Sequence, residues 1–175
     1  MAWDSTMRVI ENKSDSEMAD IILSRFCNGD TKDGPRYSLG GLYVRPYVTY
    51  VSKDALNAIE KVDASIVNNE KGVCYKKLSV KAMGITREHN IPISVLYEHF
   101  MEKHKTGKLT RRYILKWMPK LHIALITEKE DKEITKAGYH KKMPKELHDP
   151  KSCDPLARYK ASGLNDWVLD MWPVE

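Results

Sequence analysis

Between Lys103 and Lys120 the chain places Lys105, Lys108, Arg111, Arg112 and Lys116 without a single acidic residue, and it interleaves Tyr113 and Trp117 among them. Cations of this density neutralise phosphates or anionic lipid headgroups, while aromatic faces stack on bases or settle at a lipid interface. The competing reading is a solvated helix face, because Tyr113 and Trp117 are i,i+4 neighbours that could both turn inward. A second basic group, Lys136, His140, Lys141, Lys142 and Lys145, reads as a solvated loop that could extend the same surface.

Other chemistry is poorly supplied. His99 and His104 are five apart on one helix, whereas two ligands on one face need a spacing of three or four, and Glu98 and Glu102 lack the His-Glu-x-x-His order. There is no Gly-x-Ser-x-Gly elbow, Walker loop or Gly-x-Gly-x-x-Gly, and Gly40-Gly41 precedes a strand instead of a helix N-terminus. No enzymatic activity, cofactor or metal site is therefore expected. Tyr75-Lys76-Lys77-Leu78 matches a Tyr-x-x-Leu trafficking pattern, but within an expected strand.

The elements that must carry the basic stretch belong to 175 residues with 42% hydrophobic and 30% charged content, enough for one domain with its own core. A formal charge of +5 favours acidic partners. No secretory leader is read at Met1, and the apolar stretch Leu121 to Ile126 is too short to span a bilayer. Cys27, Cys74 and Cys153 show no pairing pattern, which suits a reducing intracellular compartment.

Residues 1–13 read as a mobile arm carrying Trp3, and 14–175 as one α+β domain with a small, mostly antiparallel sheet packed on two or three helices. Ser14 or Asp15 caps a helix bearing Met18, Ile21, Ile22 and Phe26, stopped by Asn28-Gly29. Residues 28–41, rich in glycine, read as an exposed loop, and Leu42 to Val51 as a strand interrupted by Pro46. Ser52 caps a helix with Ala55, Leu56, Ile59 and Val62 on one face, and Asn68 to Gly72 is a turn. From Cys74, alternation of Leu78, Val80 and Ala82 with Lys77, Ser79 and Lys81 predicts a half-buried strand. Pro92 opens a helix with Ile93, Leu96, Tyr97, Phe100 and Met101 as its apolar stripe, ended at Gly107. A short helix over 110–118 and a buried strand over 121–127 follow, then a polar, Lys-rich surface segment at 128–155. In the tail, Trp167, Leu169 and Met171 are expected inside.

Lys160-Ala161-Ser162-Gly163, followed by Trp167-Val168-Leu169-Asp170, resembles the C-terminal end of rhabdovirus matrix proteins, most like the small ones of plant-infecting members. The resemblance implies a non-enzymatic structural protein of the virion. Such a protein self-associates, condenses the ribonucleoprotein and links it to the inner, anionic face of a membrane in the host cytoplasm. On that reading Lys105, Lys108, Arg111, Arg112 and Lys116 are the electrostatic contacts, and Trp3 docks on a neighbouring subunit. Neither Pro-Pro-x-Tyr nor Pro-Thr-Ala-Pro occurs, so recruitment of budding machinery by those motifs is not implied. The alternative expectation is an RNA-binding accessory protein or a suppressor of host RNA responses.

Overall fold

A computed structural model describes residues 13–29, 33–43, 47–68, 70–74 and 77–168. Helix α1, Asp15–Cys27, begins with a reciprocal cap: Ser14 Oγ accepts from the Glu17 amide at 3.3 Å, and the Glu17 carboxylate accepts from the Ser14 amide at 2.7 Å. Met18, Ala19, Ile22 and Phe26 form its buried face, and Gly29 leaves the helix at φ 68°.

Next comes a helix where a loop was expected. Helix α2, Asp33–Gly41, carries Pro35 in its first turn and packs against α1 and a later helix, Ile93–Lys105. A Cβ at Gly40 would lie 3.5 Å from Ile93 Cδ1, an ordinary packing distance. Leu39, Leu42 and Tyr43 are fully enclosed, so tertiary burial overrides the low helix propensity of the glycines. Arg36 thus lies in a helix, half-buried, with its guanidinium 5.4 Å from the Tyr97 ring centre.

The expected single strand over 42–51 is instead two short ones in different sheets. β1, Tyr47–Val48, joins β3, Val67–Asn68, and β4, Gly72–Cys74, in an antiparallel sheet of order β1-β4-β3. After Thr49 the chain changes sheet. β2, Tyr50–Val51, lies parallel to β6, Ile123–Thr127, with Tyr50 opposite Ala124, and β5, Ile85–His89, flanks β6 antiparallel on its other side. Pro46 lies outside the described residues.

Ser52 caps α3, Lys53–Asp63, as expected, but Val62 falls on its solvent side at 52% exposure. A 3-10 turn, Ala64–Ile66, leads into β3. Of the strand expected from Cys74 through Ala82, Cys74 lies in β4, residues 75–76 lie outside the described ones, and Val80–Met83 is a single helical turn, α4, closed by Gly84 at φ 62°. The alternation there marked a turn's surface rather than a pleat. Helix α5, Ile93–Lys105, starts after Pro92, with Leu96, Tyr97, His99 and Phe100 buried. Helix α6, Arg111–Trp117, is capped by Thr110 and gives way to a 3-10 turn at Met118–Lys120.

The polar segment after β6 opens with a helix, α7, Glu128–Lys136, whose cap is again reciprocal between Thr127 and Glu130. Its Ile134 is fully enclosed, and a last short helix, α8, spans Ala157–Ala161. Among the described residues there are thus eight α-helices, more than the two or three expected, in one α+β domain.

Strand β6 divides the core. Ile123 and Leu125 face the main cluster, while Ala124 and Ile126 join Tyr50, Ile134, Leu156 and Tyr159 in a second. The tail closes this second cluster: Trp167 is half-buried against Tyr159 and bridges Ser52, and the Val168 amide donates to the Val51 carbonyl at 3.0 Å. Leu169, Met171 and the arm bearing Trp3 lie outside the described residues.

Candidate functional site

The corner between α5 and α6 presents the basic stretch. Lys105 ends α5, Lys108 follows Gly107 in the turn, and Arg111, Arg112 and Lys116 lie on α6; all five are exposed. Gly107, at φ 66°, reverses the chain, and the Lys108 and Leu109 amides both donate to the Lys103 carbonyl at 2.8 and 3.0 Å. Cations in the last turn of α5 complement its helix dipole, so Lys105 has a local structural reason to be there. Arg111 and Arg112 do not, because they open α6, where the dipole favours negative charge.

Arg111 is compensated within the chain. Its Nε lies 2.8 Å from Asp20 Oδ1 on α1, and it also donates to Ser16 Oγ. It clamps α6 to α1. Lys105, Lys108, Arg112 and Lys116 form no ion pair among the described residues, and Arg112 and Lys116, four apart, share one face of α6.

The aromatics of the stretch do not share that surface. Trp117 is completely enclosed, and Tyr113 is half-buried with its hydroxyl 2.9 Å from His99 Nε2. The two rings join Phe100 and His99 in an edge-to-face group, His99 to Trp117 at 5.1 Å and Phe100 to Tyr113 at 6.3 Å. Burial of His99 in this group, reinforced by the nearby charge of Lys103, pushes its imidazole down to about 4, so it is neutral near pH 7. Of the two readings left open for Tyr113 and Trp117, the inward one is realised: the i,i+4 pair builds core and its rings are not offered to bases.

In the second basic group, Lys136 pairs loosely with Glu133 at 3.9 Å, while His140, Lys141, Lys142 and Lys145 are exposed after α7. The Leu78 of the Tyr-x-x-Leu pattern is buried, and Tyr75 lies outside the described residues. Of the free cysteines, Cys27 is exposed, and the Cys153 thiol is raised by burial to about 11, which keeps it protonated.

One polar constellation escaped sequence reasoning altogether. Arg158 on α8 is completely buried and pairs with Glu88 on β5. Its guanidinium also donates to the carbonyl oxygens of His89 at 2.9 Å and of Tyr139 and His140, each at 3.1 Å, and to the Tyr159 hydroxyl at 3.2 Å. Nothing in the spacing of Glu88 and Arg158 marks them as partners. Burial, then the charge of Arg158, lowers His89 to about 4. A separate groove, lined by Lys53, Asp54, Glu130, Glu133 and Asp166, carries both signs of charge.

The resembling tail block also has a local explanation. Lys160 and Ala161 end α8, Ser162 is its C-cap, and Gly163 at φ 85° lets the chain turn toward Trp167. Comparison with known proteins gives no further lead: no family model, no curated protein and no solved structure matches the chain.

Proposed function

We propose that this chain is a non-enzymatic, matrix-like structural protein of the rhabdovirus kind, which self-associates and bridges a ribonucleoprotein to the inner face of a membrane. The observation that carries the reading is the corner between α5 and α6: Lys105, Lys108, Arg112 and Lys116 are exposed and unpaired among the described residues, in a run of sequence, 103–120, that holds no acidic residue. A surface of that kind recruits phosphates or anionic headgroups by charge alone, with affinity that falls as salt rises. No described helix is long and apolar enough to cross a membrane, which suits a peripheral contact. The inward turn of Trp117 and Tyr113 favours contact through charge over base stacking, and so favours this reading above a single-strand RNA reader.

The test replaces Arg112 and Lys116 by glutamate and follows binding to RNA and to phosphatidylserine vesicles across a salt series. The expected result is strong loss of binding, with the salt slope reduced by about one unit for each phosphate contact removed. Parallel sedimentation at low salt should show the parent chain in large assemblies. Unchanged binding by the double variant at every salt concentration, together with a monomer at low salt, would overturn the proposal.

A further inference from the structure

His99 and His104 do not share a helix face, but the fold brings three metal-ligating side chains together from separate elements. Glu88 comes from β5, Asp131 from the first turn of α7, and His140 from the loop after α7. One carboxylate oxygen from each acid and one ring nitrogen of His140 all lie within 4.8 Å of one another. Donors bound at about 2.0–2.2 Å to one tetrahedral zinc ion lie roughly 3–4 Å apart, so small side-chain rotations close the set.

A second observation points to a cation at this place. Asp131 Oδ1 is shut off from solvent and accepts no hydrogen bond among the described residues. A buried carboxylate oxygen without a donor is costly, and a positive ion is the partner that satisfies it. The surroundings are already arranged for such an ion. Arg158 fixes the Glu88 carboxylate from one side and, through the carbonyl oxygens of Tyr139 and His140, holds the backbone that carries the imidazole. A carboxylate has about four lone-pair sites, so the bond from Arg158 leaves Glu88 free to ligate. Two carboxylates and one guanidinium leave a net negative charge for the ion to meet, and the exposed His140 forms an open approach from solvent.

We propose that Glu88, Asp131 and His140 form a binding site for a first-row divalent cation of the zinc class, with water completing its coordination. An imidazole beside two carboxylates suits Zn²⁺ or Co²⁺ better than Mg²⁺ or Ca²⁺, which take oxygen ligands. The ion would tie the polar segment after α7 to β5, a clamp independent of the basic corner.

The full chain, freed of metal with a chelator, is titrated with Zn²⁺ by calorimetry and with Co²⁺ by visible absorption. One ion per chain is expected, with a d–d band for cobalt and a rise in melting temperature with zinc. His140→Ala and Asp131→Asn should each weaken binding at least about tenfold. Cys27→Ser should bind as the parent does, which separates this site from thiolate capture. His140 is exposed, so its variant folds without metal, and its chelator-treated melting curve checks that. Absence of one-to-one binding below about 100 µM, or equal affinity in the parent and His140→Ala, overturns the proposal.

Discussion

Arg111 and Arg112 are adjacent in sequence, yet among the described residues only the first is held by an acidic partner, Asp20 on α1. Their substitution by glutamate should therefore separate stability from binding. Arg111→Glu replaces an attraction with a repulsion at a partly exposed pair and should lower stability by about 1 kcal/mol in urea unfolding. Arg112→Glu puts a negative charge at the start of α6, where the dipole welcomes it, and should leave stability unchanged or slightly raised while weakening RNA and vesicle binding. The inverse ranking would mean that the pair with Asp20 does not hold α6 on α1. His99 offers a second residue-scale test. Its folded value of about 4 lies below the ordinary 6.5, so the unfolded chain takes up a proton that the folded chain refuses. Its contribution is fully present above about pH 6.5 and is lost as pH falls toward 4. Lys103 and His148 deepen the shift and Glu102 opposes it. In His99→Gln the fall of the urea midpoint between pH 6.5 and 4 should be shallower than in the parent; an identical slope would show that His99 does not carry it. His89, lowered for similar reasons, leaves part of the slope in place.

At the scale of elements, Gly72 sets the geometry of the hairpin joining β3 and β4. It adopts φ 103°, and a Cβ there would stand 2.4 Å from the Val48 carbonyl oxygen on β1. Gly72→Ala should therefore cost about 2 kcal/mol or more in chemical denaturation. Gly29→Ala, at φ 68° with open space around it, should cost only about 1 kcal/mol. Equal losses would mean that the approach of β1 does not constrain the turn. Elements with a strong local code were legible in the sequence: Ser14 with Glu17, Pro92 before the apolar stripe of α5, and the Thr110 cap of α6. The Thr127–Glu130 cap of α7 was equally explicit, but the helix it opens buries Ile134 alone and so carries almost no apolar stripe. What was illegible depends on contacts distant in sequence. The glycines of α2 signalled a loop because their helix is stabilised by α1 and α5, and the apolar run at 42–51 could not announce that it changes sheet at Thr49. At the candidate surface the cations were readable, while the orientation of Tyr113 and Trp117 stayed open between inward and outward, since an i,i+4 pair is the same in either orientation.

For the molecule as a whole, Arg158 ties together β5, α8 and the turn after α7 through one buried set of polar contacts. Arg158→Ala would leave Glu88, itself only 17% exposed, without its countercharge. Removal of one partner from a buried pair costs about 3–5 kcal/mol. A loss below about 1 kcal/mol in denaturant unfolding would show that the junction is held by packing instead. The arrangement around β2 bears on how such a chain is made. Tyr50 and Val51 leave the ribosome early, but their partners Ala124 and Leu125 emerge much later, and the backbone of Val168 that covers the other edge comes later still. Translation adds about 5–20 residues per second, so an apolar strand stays open on both edges for seconds in each newly made chain. Chains crowded on one polysome would expose these edges side by side, and the supply of chaperones, more than the depth of the finished core, would then set the yield of folded protein.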